Sequence, residues 1–289
     1  MGAMRLRLEL DGAGEAVLAE VGDAARLEDG RVVVEIDLPD ELPEEERGAW
    51  FAAIVGAAAP EAAIDWWVDR VARRPFGPHS RQVYADPLYH RPNFLALLDA
   101  LGLRPDDELL EIGCGGGAFL QLALETVGRA SAVDHSPEML QLAAAQNAEA
   151  LAGGRLELIY ADAAALPFGD ERFSCAVSTG VLGFLPDPGR AFAEWRRVLR
   201  PGGRLAVYAG TKELLGTPAA PEPVATRITF YEDAELRLLA LGAGFAEAEV
   251  TRPDLREHAR TVGVPDDVVD FFGPRPGGRP AGHLLLARR

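Results

Sequence analysis

With 45 acidic against 29 basic side chains among 289 residues, a net charge of -16 at pH 7, the chain lacks the basic footprint that nucleic acid or an anionic membrane surface requires. That balance fits a neutral or cationic small-molecule substrate, and solubility explains it equally well. The length allows one large core or a core with an appendage. Two cysteines, Cys114 and Cys175, are too few for a disulfide framework or a zinc site, so no metal is expected.

Residues 4–38 read as strands. Leu6, Leu8 and Leu10 alternate with charged residues, and Arg31 to Ile36 is rich in β-branched side chains. Asp29-Gly30 is a hairpin signal, so a small antiparallel meander is predicted. Pro43, followed by three glutamates, marks a helix start, and that helix carries Trp50, Phe51 and Ile54. In a second helix from about Glu61, Ile64, Trp67, Val68 and Val71 share one apolar stripe. Trp66 lies off that stripe and is the better candidate for a substrate contact. Arg74-Pro75-Phe76-Gly77-Pro78 is a breaker-rich linker. An α+β appendage over residues 4–74 is therefore expected, serving dimerisation or substrate capping, and the main domain over 79–289. A homodimer is one expectation for the appendage.

Residues 79–92 are too polar and interrupted for a core element, and place Tyr84, Tyr89 and His90 close together. A helix follows over 93–101, with Gly102 as its stop. From Glu108 onward strands and helices alternate, the pattern of a doubly wound α/β sheet. Strands are predicted at 109–112, 130–133, 156–160, 173–178 and 204–208, with two more at 246–250 and 283–287. Helices start at Ala118, at Ser136-Pro137, at Asp187-Pro188 and at Asp233. Residues 210–231 read as a proline-rich connection. No leader-peptide pattern or apolar run of membrane-spanning length is visible, which makes a cytoplasmic location the expectation.

The chemistry centres on Leu109-Leu110-Glu111-Ile112-Gly113-Cys114-Gly115-Gly116-Gly117. It reads as a buried strand, a glycine turn that lets a ligand lie against bare backbone, and a helix start. Gly113-x-Gly115-x-x-Ala118, with Asp134 downstream, also fits a dinucleotide fingerprint. Glu111 separates the readings. A carboxylate there repels a pyrophosphate and attracts a ligand carrying an ammonium and a sulfonium. That ligand is S-adenosyl-L-methionine, and the stretch resembles the first motif of class I, Rossmann-like methyltransferases.

Asp134 ends its strand where a carboxylate can accept both hydroxyls of a ribose. Asp134-x-Ser136-x-x-Met139 resembles the family's second signature, which implies that His135 and Met139 flank the adenine. Asp162 follows the next strand, where it can accept from an adenine amino group while the Ala163 N–H donates to a ring nitrogen. Asp162-x-x-x-Leu166-Pro167-Phe168 resembles the ubiquinone/menaquinone-biosynthesis-type methyltransferases, as does Leu199-Arg200-Pro201-Gly202-Gly203. The resemblance covers residues 105–210 well and leaves 4–75 uncovered. It implies that Gly113, Cys114, Gly115 and Thr179 face the cofactor, and that residues 79–92 close over it. Relatives often place a histidine where Gly183 or Phe184 stands here, which puts an acid–base mechanism in doubt. Phe184 instead offers an apolar wall to the substrate. His90 and Tyr84 remain as catalytic candidates, with Tyr84 also a cofactor contact and Tyr89 and His90 substrate contacts.

The expectation is a seven-stranded, mostly parallel sheet with an antiparallel last strand. It would transfer a methyl group from S-adenosyl-L-methionine to an O, N or C nucleophile of a small apolar or aromatic molecule. The alternatives are a methyltransferase-like binder with a non-methylating or partner-binding role, and a nucleotide-dependent oxidoreductase.

Overall fold

A computed structural model describes residues 4–10, 25–28, 31–38, 68, 72–75, 77–215, 225–274 and 282–289. The chain divides into two compact units, residues 1–71 and 72–289.

In the first unit β1 (Met4–Leu10), β2 (Ala25–Glu28) and β3 (Arg31–Leu38) form an antiparallel sheet in the order β1-β3-β2. Glu28 pairs with Arg31, the two-residue spacing of a tight hairpin. A sequential meander would put β2 in the middle, and the observed order corrects that expectation. β2 has only four residues, whereas β3 has eight and pairs with β1 along its length, from Met4 opposite Leu38 to Leu10 opposite Val32. The longest partner satisfies the most backbone groups and takes the centre. The predicted helices of this unit, with Trp50, Phe51, Ile54, Ile64, Trp66, Trp67 and Val71, lie outside the described residues. Val68 is buried.

The second unit is a seven-stranded sheet. Its strands are β4 (Glu108–Ile112), β5 (Arg129–Asp134), β6 (Leu156–Tyr160), β7 (Phe173–Thr179), β8 (Leu199–Gly210), β9 (Glu247–Thr251) and β10 (Gly282–Arg288). They run in the order β6-β5-β4-β7-β8-β10-β9. The first five are parallel, and β10 is antiparallel to both β8 and β9. Consecutive residues turn to opposite faces, as the strand period demands. Leu110, Ile112 and Ala176 join a core with Phe192, Trp195 and Leu236. Leu109, Cys175 and Val177 join another with Phe94, Leu97 and Phe119.

Helices α1 (Gly77–Ala85), α2 (Arg91–Leu101), α3 (Ala118–Ala123), α4 (Pro137–Gln146) and α5 (Ala148–Ala152) come first in the chain. They are followed by α6 (Pro188–Val198), α7 (Asp233–Gly242), α8 (Arg256–Thr261) and α9 (Asp266–Val269). The caps read from sequence are in place. Ser136 accepts from the Met139 N–H, Asp187 accepts from the Arg190 N–H, and Gly102 closes α2 at φ 54°.

Helix α1 occupies residues predicted to be irregular. It lacks an apolar stripe because it covers a turn rather than a core. Its anchors are Tyr84, the Gln146 amide donating to the Ala85 carbonyl at 2.8 Å, and an Arg81–Glu138 ion pair. Helix α3 is short, ending at Ala123, and β8 begins at Leu199 rather than at the predicted 204, taking in Pro201-Gly202-Gly203.

Candidate functional site

The chain runs β4, β5, β6 to one side of β4 and then returns to β7 on the other. That reversal opens a crevice beyond the C-terminal ends of the strands, where open α/β sheets bind ligands. A cavity of about 410 Å³ lies there, lined from β4, β5, β7 and their following loops, from residues 72–75, and from α1 and α2. Its size falls within the range of small-molecule sites.

The glycine turn forms its floor. The Gly113 and Cys114 N–H groups both donate to the Val133 carbonyl, at 2.8 and 3.0 Å. Gly113 has φ 78°, and a Cβ there would stand 2.1 Å from Val181 Cγ2. At Gly115 a Cβ would meet the Tyr84 ring at 3.1 Å, and at Gly116 the Tyr84 carbonyl oxygen at 2.5 Å. Glycine is thus required both by conformation and by the close approach of α1.

Asp134 sits at the end of β5, 8% exposed. Its Oδ2 accepts from the Gly115 N–H and its Oδ1 from the Ser136 N–H, both at 2.8 Å. Those bonds aim the carboxylate and leave about half of its four lone-pair sites for hydroxyl donors. Burial lifts its pKa above the ordinary carboxylate value, and the Ser136 and Gly115 N–H groups pull it part of the way back.

Glu111 is 3% exposed, and among the described residues its Oε2 has no hydrogen-bond partner. Burial raises its carboxyl well above the ordinary range, and the Asp134 charge adds to the rise. Tyr84 is pushed up to about 12 by the same two causes, and burial raises the Cys114 thiol well above its usual value. Several acidic groups therefore resist ionisation around one cavity, a field that a cationic ligand relieves.

Of the sequence-predicted residues, Tyr84, His90, Glu111, Gly113, Cys114, Gly115, Asp134, His135, Met139, Ala163, Thr179 and Phe184 line this cavity. Asp162 does not. Its Oδ1 accepts from the Ala164 N–H at 2.7 Å, its side chain is exposed, and it closes its own turn. Among the described residues two carboxylates, Glu111 and Asp134, share the cleft where three were expected. Tyr89 is 53% exposed and outside the lining, which corrects its placement as a substrate contact. It sits mid-way in a three-residue 3₁₀ turn, Leu88–His90, whose last residue lines the cavity. Trp66 lies outside the described residues. A phenol held near 12 stays protonated at neutral pH, which removes Tyr84 as a base there. His90 reaches the surface, yet the protein crowding around it lowers its pKa, leaving a neutral imidazole.

Arg73, Pro75 and Phe94 also line the cavity and were not anticipated, whereas Val181 follows β7 and Ile228 belongs to the 210–231 connection, both stretches expected to face the cofactor or the acceptor. Pro75 is fixed by its carbonyl accepting from the Ser136 hydroxyl at 3.2 Å, and Ile228 by the next N–H, Thr229, donating to the Gly183 carbonyl at 2.8 Å. The residues fit a nucleoside bearing a cationic amino-acid arm. Asp134 suits the ribose, Met139 and His135 the base, and the unpartnered Glu111 oxygen an ammonium. Among the described residues no cluster of metal-ligating side chains occurs, and no helix is long and apolar enough to cross a membrane.

Residues 110–207 match a family model described as "Methyltransferase domain". The chain is 32% identical over 183 residues to the 27-O-demethylrifamycin SV methyltransferase of Amycolatopsis mediterranei, covering 62% of each protein. It is 35% identical over 118 residues to the ubiquinone/menaquinone biosynthesis C-methyltransferase of Hahella chejuensis, covering 40% of this chain and 47% of that one. The match thus spans roughly half the length of these curated relatives. Among solved structures, the [4+2]-cyclase SpnF superposes with a TM-score of 0.51 at 24% identity, over 68% of this chain and 80% of that one. That likeness shows the fold alone. The glycine turn and the strand order agree with the sequence match, and residues 110–207 are similar to the methyltransferase domain of class I, S-adenosylmethionine-dependent enzymes.

Proposed function

We propose that the chain moves a methyl group from S-adenosyl-L-methionine to an O, N or C nucleophile of a small, apolar or aromatic molecule. The observation that carries this reading is Glu111. A carboxylate oxygen buried without a partner in the wall of a ligand-sized cavity, and held beside a second carboxylate, calls for a cation. A pyrophosphate would meet repulsion from both groups, which speaks against a nicotinamide oxidoreductase.

The cofactor supplies the electrophile, a methyl group on a positively charged sulfur. The chain's own work is then positional. Asp134 and Glu111 hold the donor at two points, and the glycine turn lets its arm lie against backbone. Phe184, Leu185 and Ile228 give the acceptor side an apolar wall and exclude water. His90, neutral at the cavity mouth, is the side chain placed to take a proton from an acceptor hydroxyl or amine.

Calorimetry with S-adenosylhomocysteine and with NADH, together with transfer of labelled methyl from the donor to a panel of phenols, quinols and amines, tests the reading. Binding of S-adenosylhomocysteine alone is expected. Binding of NADH alone refutes it. A second reading is a domain that keeps the cofactor and does other chemistry. It is favoured by the absence of histidine at residues 183–184. Tight cofactor binding with no methyl transfer across the panel would select it.

A further inference from the structure

Arg73 stands out among the cavity's side chains. It lines the wall, and among the described residues its buried Nε has no hydrogen-bond partner while its Nη2 donates to the Arg227 carbonyl at 3.5 Å. It makes no ion pair among the described residues. A guanidinium keeps its charge at every physiological pH and presents a planar fork of donors. Leaving such donors buried and unpaired is costly, and native structures rarely do so without cause.

Its position says which part of a ligand it would meet. The contact to the Arg227 carbonyl places it beside Ile228. The neighbouring Thr229 N–H is bonded to Gly183, next to Phe184. Arg73 is therefore on the apolar, acceptor side, whereas Glu111 and Asp134 are on the strand ends with the glycine turn. The surrounding charge sharpens the point. A chain of net charge -16 repels anions overall, so an anionic acceptor needs a local cation to enter.

We propose that Arg73 is the anion-reading residue of the acceptor site, and that the acceptor carries a carboxylate or phosphate on an apolar body. This rests on the methyl-transfer reading for the word acceptor, and the anion subsite itself can be tested apart from it. The inference reverses, for this cavity, the neutral or cationic substrate that the net charge favours.

The probes are benzoate, phenyl phosphate and the neutral isostere benzamide, titrated by ligand-observed NMR into the full chain with and without saturating S-adenosylhomocysteine. Wild type should bind an anionic probe about tenfold more tightly than benzamide, the scale of one charge-assisted pair. Whether benzoate or phenyl phosphate binds better separates the two oxyanions. Arg73→Gln should abolish the preference, and Arg73→Lys should restore part of it. Circular dichroism and S-adenosylhomocysteine affinity should be unchanged in both variants, reporting that the fold and donor site are intact. Equal binding of benzamide, no binding of either anion, or a preference surviving Arg73→Gln overturns the proposal. So does loss of S-adenosylhomocysteine affinity in Arg73→Gln with probe preference kept, which would assign the guanidinium to the donor's own carboxylate. Anion binding without any binding of S-adenosylhomocysteine would sink the methyl-transfer reading and leave the subsite standing.

Discussion

Replacing Glu111 by glutamine should make the ligand-free protein more stable and its cofactor binding weaker. The wild-type carboxylate is buried, unpartnered on one oxygen and repelled by Asp134. An unsatisfied buried acceptor costs about 1–3 kcal/mol. The penalty also has a ceiling, because the group can take up a proton instead. Protonating an ordinary glutamate, at 4.5, costs about 3.4 kcal/mol at pH 7 when each pH unit counts about 1.36. Glutamine keeps the unmet hydrogen-bond demand and removes only the charge and its repulsion by Asp134, so the gain in the Glu111→Gln apo protein at pH 7 lies below that ceiling, at up to about 3 kcal/mol. The sign with pH is fixed by the direction of the shift. A carboxyl raised in the folded state binds more protons there than when unfolded, so its contribution is present below 4.5 and lost as pH rises through the folded value. The stability gap between variant and wild type should therefore widen from acid to neutral pH. Binding moves the other way. Losing one charge-assisted hydrogen bond to an ammonium, about 1.5–3 kcal/mol, weakens S-adenosylhomocysteine by about ten- to a hundredfold. Urea titrations at several pH values and calorimetry measure both effects. Unchanged affinity together with a stability gap that does not vary with pH would refute the reasoning.

Asp134→Asn should cost nearly as much as Asp134→Ala, about 2–4 kcal/mol of stability. One amide nitrogen must then face the Gly115 or Ser136 N–H, donor against donor; a neutral result in denaturant melts removes those bonds from the account. Gly113→Ala should destabilise by about 2–4 kcal/mol through its positive φ and its clash with Val181. Adding Val181→Ala should recover the clash but not the backbone strain, and a double-mutant cycle reads the two apart. At the other end of β4, burial resists ionisation of Asp107. The Ser174 hydroxyl, the Arg204 guanidinium and the Arg104 N–H outweigh it and hold the carboxyl below its ordinary value. Its stabilisation is thus present above the unfolded value and lost as pH falls through the folded one. Asp107→Ala should cost about 3–5 kcal/mol, by stranding a mostly buried Arg204, and should flatten the acid limb of the stability profile.

What the amino-acid sequence alone makes legible follows the range of the forces involved. The β4 turn, the Ser136 and Asp187 caps and the strand pattern are local, set by residues within a few positions of one another, and they are where they were expected. Asp134 was legible too, because a strand end before an N-cap leaves a carboxylate few directions to face. Asp162 misled because a carboxylate after a strand can also bond its own turn, and that local bond to Ala164 wins. Helix α1 was missed because periodicity reports burial against a core, and α1 covers a glycine turn with one aromatic side chain. Arg73 could not be found by pattern at all. Its meaning depends on a carbonyl 154 residues away, although two adjacent arginines before a proline in so acidic a chain were a signal.

Strand β10 lies between β8 and β9, and is made after both. During synthesis the outer rim of β8 therefore waits without a neighbour until residue 282 and those beyond it have emerged. For that interval the nascent polypeptide offers an open row of amide and carbonyl groups on a largely apolar strand, an invitation to pair with another chain. The late-arriving segment is the piece that withdraws the invitation, so its loss would be felt as aggregation on the ribosome before it was felt as a missing reaction.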